Sequence, residues 1–265
     1  MVREKSVPTV RTVERALNLL FRVAESSQPL GLSEISEASG VDKSTALRLL
    51  RTLESFRLVD RNADTKYFSL GSGAWQLSRS YQDDLKALAH PHLLRLREAT
   101  GETVILVVAR GLERIVLHAV EATHELRVVP ALNNVVPVYS GAAGRVFMAF
   151  MPEAERDRII DATGLRPVNE RGMTDRASFV ASLDAVRRDG SAVSIGDVTL
   201  GISAIAAPVF ARTGGVVAAI SLRGPEARMD EERLARLTPL VREGAHAISS
   251  ELGHQASEFA VKSVS

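Results

Sequence analysis

Apolar positions recur at helical spacing near the start of the chain. Val13, Ala16, Leu17, Leu20 and Ala24 predict an amphipathic helix over about residues 9–25, preceded by a loose tail at 1–8. The segment 26–31, with Gln28-Pro29, interrupts the pattern. A second, short helix follows. Ser33 is its expected N-cap, Ile35 and Ala38 its inward positions, and Gly40 its C-cap. Asp42 then caps a third helix, in which Ala46, Leu47, Leu49, Leu50 and Leu53 make one broad apolar face. The opposite face carries Ser44, Thr45, Arg48, Arg51 and Thr52, and no acid.

The period then changes from helical to alternating. Residues 58–60 predict a strand, 61–66 a polar turn and 67–70 a returning strand. Residues 74–81, with the only Trp (Trp75), predict a connecting helix. Beyond it a helix is expected to residue 100, then strands at 103–109 and 113–120 and a short one at 126–129. Helices are expected at 144–150, 152–160, 178–189 and 230–252, and strands at 191–195, 202–210 and 216–222. The fold class this implies is α+β. A helical N-terminal block with a hairpin (1–73) and a linker helix (74–83) precede a larger domain (84–265), whose mainly antiparallel sheet is flanked by helices.

Composition narrows the function classes. The chain of 265 residues is 45% hydrophobic and 25% charged, an ordinary globular balance. No apolar run reaches eighteen residues and the start resembles no secretory signal, so no membrane partner is expected. The absence of cysteine removes disulfides and thiolate chemistry, and fits a cytoplasmic protein. The net charge is +1, but residues 1–80 hold twelve Lys/Arg against nine Asp/Glu.

That excess matters because of where it lies. Helix, turn at Gly40, second helix and hairpin in this order are the parts of a winged helix-turn-helix, whose second helix enters the DNA major groove. Hydroxyls and arginines donate to phosphate oxygens and guanine acceptors, whereas an acid there would repel phosphate. The expected DNA contacts are Ser33, Lys43, Ser44, Thr45, Arg48 and Arg51, with Arg61 and Lys66 beside the wing tip. A solvated helix face would have a similar composition; the ordered set of elements favours DNA.

The chain resembles the IclR family of bacterial transcriptional regulators. The resemblance is carried by LSEISEASGVDKSTALRLLRTLE, TGETVILVVARGLERIVLHAVE, YSGAAGRVFMAFMP, AIAAPVF and AAISLRGP, and spans about residues 10–253. It implies a GAF-like effector-binding domain, operator DNA as one partner and a small organic acid as the other, and a homodimer or dimer of dimers. It also implies that the 139–144 turn lines the effector pocket. The expected effector contacts are Val104, Leu106, Ser140, Gly141, Ala142, Ala143, Met148, Ser194, Ile202, Ala204, Ser221 and Arg223. Three positions depart from the family pattern: Arg145 stands where Lys is usual, Ala204 where Cys is common, and Ser194 where many relatives have an acid. The departures at Ala204 and Ser194 point to a carboxylate with an apolar body, such as an aromatic acid, rather than the smallest keto acids.

Catalysis finds no support in the sequence. There is no nucleophile elbow, phosphate loop, zincin motif or dinucleotide fingerprint. His118 and His124, with Glu121, do not specify a metal site, and His90 and His92 flank Pro91 as surface or interface residues. No metal and no cofactor are expected. The alternative of a small-molecule enzyme with an N-terminal interaction module lacks a nucleophile, base and orienting group. That of a purely architectural DNA binder leaves the small-residue pocket motif without a role.

Overall fold

The computed structural model describes residues 10–26, 28–130 and 135–255. The expected tail at 1–8 lies outside them. The chain forms two compact units, 1–83 and 84–265.

In the first unit, α1 (Arg11–Glu25), α2 (Leu32–Ser39) and α3 (Lys43–Ser55) pack around one core. Leu19, Val23, Ile35, Val41, Ala46, Leu50, Leu53, Val59 and Phe68 are buried together there. The α1 face expected from spacing is mostly not the buried one. Leu19 and Val23 face the core, while Val13 and Leu17 are exposed. Apolar residues recur on two sides of this helix, and periodicity alone cannot choose between them.

Ser33 does not cap α2. Gly31 holds that position, and the Glu34 carboxylate accepts from its N–H at 2.7 Å. Ser33 lies in the first turn on the exposed side, and Ala38 is exposed as well. At the other end Gly40 has φ 64°, the left-handed conformation of a helix C-cap. The buried Ser36 hydroxyl donates to Val41 O at 2.6 Å, fixing the turn from inside. The wing is a hairpin of β1 (Val59–Arg61) and β2 (Phe68–Leu70), and Leu30 bridges to Phe68 on its other edge. Gly71 and Gly73 close it: a side chain at either would strike the Arg57 carbonyl within 3 Å.

α4 (Ser72–Thr100) is one continuous helix, where the sequence suggested two. Pro91 sits inside it. From Leu85 onward its inner residues, Leu85, Ala89, Leu93 and Leu96, belong to the core of the second unit.

The second unit is built on a six-stranded antiparallel sheet in the order β5-β4-β3-β8-β7-β6. Its strands are β3 (Thr103–Arg110), β4 (Glu113–Val120), β5 (Val136–Pro137), β6 (Ala192–Ile195), β7 (Ile202–Phe210) and β8 (Val216–Pro225). The expected strand at 126–129 is absent. That segment has no regular structure; the Thr103 hydroxyl donates to Val128 O at 2.7 Å and accepts from the N–H of the preceding Ala122 at 3.0 Å. A side chain supplies the bonds that a ladder would otherwise provide.

Strand alternation splits the sheet into two faces. Val104, Leu106, Ile205, Ile220 and Leu222 face α4 and the C-terminal α8 (Glu231–Glu251). Ile105, Val107, Ala206 and Ala219 face α5 (Gly141–Phe150), α6 (Glu153–Thr163) and α7 (Arg176–Asp189). Helices thus cover both faces, and each side has its own core.

Candidate functional sites

The N-terminal site is the outer face of α3. Asp42 precedes it and accepts from the Thr45 N–H at 2.9 Å and the Ser44 hydroxyl at 2.7 Å. These bonds hold the Asp42 carboxyl far below the usual carboxylate range, led by the backbone bond from Thr45. Lys43, Ser44, Arg48, Arg51 and Thr52 are exposed and Thr45 is half-buried, so one helix presents them together. The wing residues are placed differently. Arg61 folds back over the Phe68 ring, 5.4 Å from its centroid, and its Nε donates to Lys66 O. Lys66 has φ 63° and its ammonium donates to Ala63 O. Both cations are therefore engaged within the hairpin.

The second site lies between the sheet and the start of α5. Helix α5 begins at Gly141, inside the small-residue turn and earlier than the expected 144. Gly141 has φ 70°, and a side chain there would run into Val198. Gly144 sits directly over Tyr139, where a Cβ would lie 2.4 Å from its carbonyl carbon. The small residues thus bring the helix start down onto the sheet.

The cavity under this helix start is lined by Ile105, Arg114, Gly141, Ala142, Ala143, Ser194, Asp197, Val198, Thr199, Ile202, Ala204, Ser221 and Arg223. Register explains much of that set. Ser194, Ala204 and Arg223 are cross-strand neighbours in one row, and Ala206, Ser221 and Ile105 form the next. Eight of the twelve expected effector residues meet here.

Four do not. Val104 and Leu106 point through the sheet into the opposite core, and Ile105 takes the place expected of them. Strand alternation was read one residue out of phase. Met148 is fully buried among α5 packing residues. The Ser140 side chain faces an adjoining cavity with Tyr139, Arg145, Pro167, Phe179 and Asp197. Val104, Leu106 and Met148 therefore contribute no apolar lining to this cavity, whose wall includes Arg114, Ser194, Asp197, Thr199, Ser221 and Arg223.

Arg114 is a charged cavity-lining residue that sequence reading missed. It is buried, and its Nε donates to Ser140 O at 3.1 Å. Burial, then the neighbouring Arg223, push its guanidinium down to about 10, against an opposing pull from Asp197. Burial lowers Arg223 too. A sheet bulge between Leu106 and Val107 shifts the β4 register, so alternation from the well-marked end of the strand does not predict that Arg114 faces inward.

Arg145 and Asp197 close the wall between the two cavities. Arg145 Nη2 lies 3.5 Å from Asp197 Oδ2 and also donates to Val193 O. Arg145 Nε and Asp197 Oδ1 are buried without a hydrogen-bond partner.

His118 pairs with His90 at 2.8 Å, not with His124. His92 is buried and bonds to Glu251 at 2.8 Å, so it is an internal residue of this unit. Among the described residues no group of three or more His, Cys, Asp or Glu is placed to hold a metal, and no helix is long and apolar enough to cross a membrane.

Comparison with known proteins finds a family match in each of the two units. The IclR helix-turn-helix domain matches residues 12–63, and the family described as bacterial transcriptional regulator IclR C-terminal matches residues 80–250. The HTH-type transcriptional repressor AllR of Escherichia coli (strain K12) is 28% identical across 93% of this chain and 92% of its own length. Among solved structures, IclR of Thermotoga maritima superposes with a TM-score of 0.62 at 27% identity, covering 92% of this chain and 99% of that one. An IclR transcriptional regulator from Alicyclobacillus acidocaldarius gives 0.62 at 30% identity, covering 93% and 100%. With an N-terminal helix-turn-helix, an α+β C-terminal domain of GAF-like type and family matches over most of its length, the chain belongs to the IclR family of DNA-binding transcriptional regulators and is not an enzyme.

Proposed function

We propose that this protein is a homodimeric repressor whose operator affinity is set by a small organic acid held under the start of α5. The observation that carries the effector reading is the pair Arg114 and Arg223, a buried and a half-buried guanidinium lining one cavity. An arginine offers a carboxylate two parallel donors, and burial strengthens the contact. Backbone N–H groups at the α5 N-terminus favour an anion at the same place. Repression is inferred from similarity to AllR, which is named a repressor.

The DNA-reading surface in this proposal is Lys43, Ser44, Thr45, Arg48 and Arg51, with Ser33 of the preceding helix. Arg61 and Lys66 support the wing, and reach phosphate only if they leave their contacts within the hairpin. Dimerisation rests on α1, whose Val13, Leu17 and Phe21 are 54%, 44% and 61% exposed along one stripe. Trp75 and Leu77 on α4 add exposed apolar surface of the same unit.

A mobility shift on intergenic DNA upstream of the gene tests the proposal. Addition of a panel of short organic acids is expected to release the DNA for at least one acid, and Arg223→Ala is expected to bind DNA but ignore that acid. DNA binding that no acid alters would refute the effector reading. A folded Arg223→Ala variant that still responds normally would remove Arg223 from the site.

A further inference from the structure

Charge in the effector cavity does not balance, and the imbalance specifies the ligand further. Three arginines and one acid surround the region: Arg114, Arg145, Arg223 and Asp197. Asp197 lies 3.5 Å from Arg145, which leaves Arg114 and Arg223. Among the described residues neither of these two forms an ion pair with a carboxylate; Arg223 disfavours the charge of Arg114, and Asp197 offsets that only in part. Three arginines that share one acid leave net positive charge in a sheltered place, and a bound anion that neutralises only one of Arg114 and Arg223 leaves the other uncompensated.

The two guanidinium groups also enter from opposite ends of the sheet face. Arg114 pairs across β4–β3 with Ala109, and Arg223 pairs across β8–β3 with Thr103. Those anchors are six positions apart along β3, roughly 20 Å at about 3.3 Å per residue. Each side chain therefore reaches inward toward the shared cavity from its own side. The seats differ as well: Arg114 is fixed to Ser140 O beside the α5 N-terminus, whereas Arg223 stands beside Ala204 in the row that ends at Ser194.

We propose that the effector is a short dicarboxylate, one carboxylate seated between Arg114 and the α5 N-terminus and the other on Arg223. This rests on the effector reading above and adds the number and placement of the acidic groups. The cavity is partly open, and its volume of about 20 Å³ is the scale of one or two water molecules. Seating a diacid therefore requires the cavity to widen. The 196–201 segment, which contributes Asp197, Val198 and Thr199, is the wall flanked by glycines with positive φ, Gly196 at 72° and Gly201 at 79°.

Calorimetry on the full chain tests the assignment with butanedioate and pentanedioate against butanoate and pentanoate. The diacids are expected to bind about tenfold or more tightly than the monoacids of equal length, the scale of one charge-assisted contact. Arg223→Gln and Arg114→Gln are each expected to erase that preference while leaving monoacid binding through the remaining arginine. If Arg114→Gln fails to fold, Arg223→Gln alone decides. Equal affinities, a preference for monoacids, or a preference that survives Arg223→Gln would overturn the dicarboxylate. Monoacids that bind at least as tightly as the diacids and release operator DNA would do so while leaving the effector reading intact. Failure of every acid to bind would overturn both.

Discussion

Arg48 stands one helical turn beyond Ser44 and one turn before Thr52, in the middle of an α3 face that holds no acid. Its side chain is exposed, so replacing it removes a contact to DNA without opening the core. Arg48→Ala is expected to weaken operator binding by about 1–3 kcal/mol with little change in thermal stability. A titration by fluorescence anisotropy, paired with a thermal melt, checks this; unchanged affinity in a folded variant would take Arg48 off the interface. This face was legible because each of its residues obeys the helical period and Asp42 marks the start. Arg114 was not legible in the same way. Its inward orientation depends on a bulge in β4, and one extra residue in a strand reverses the side on which every residue beyond it lies.

At the scale of elements, the sequence marked helices and strands well and their faces less well. The expected break near residue 84 in α4 rested on a change of apolar pattern, but the structure continues the helix through it. The pattern changes because the environment does: Trp75 and Leu77 are exposed, while Leu85, Ala89 and Leu93 are buried in the second core. The end of α4 is also where a buried charge joins elements distant in sequence. Glu102 is 0% exposed; Arg228 grips both its oxygens at 2.8 and 2.9 Å, and Arg233 of α8 approaches to 3.4 Å. Nothing in the local sequence announces this contact, because its partners lie more than 120 residues away. Glu102→Ala removes the buried acid and leaves two partly exposed arginines without it, and is expected to destabilise the chain by about 1–3 kcal/mol. Urea denaturation of the purified protein measures this, and a loss below about 1 kcal/mol, the range of an exposed pair, would show the cluster to be solvated.

The whole molecule must connect two jobs that the chain assigns to separate units. DNA binding by one α3 reads only a short site, so a two-fold pair is expected to be the competent form. The α1 stripe is exposed in the single chain, and a charge placed on it leaves the monomer core intact. Phe21→Asp is therefore expected to yield folded monomers by sedimentation and to lose most operator affinity. A dimer that persists unchanged would move the interface elsewhere.

Regulation adds a stricter requirement, because coupling between two ligands is reciprocal. If the effector lowers operator affinity by some factor, bound operator must lower effector affinity by the same factor. The shift can come only from a difference in effector affinity between the DNA-competent state and the other state. The Arg114–Arg223 cavity offers a source for that difference, since it must widen to seat a ligand. Calorimetry of the effector against free protein and against the protein–operator complex is expected to give a ratio of dissociation constants equal to the ratio found for DNA with and without effector. Typical couplings of about 1–3 kcal/mol make this a 5- to 150-fold effect, well within measurement. Arg223→Gln is expected to bring both ratios toward one together. An effector that binds the complex and the free protein equally, yet releases DNA, would mean that it acts at some site other than this cavity.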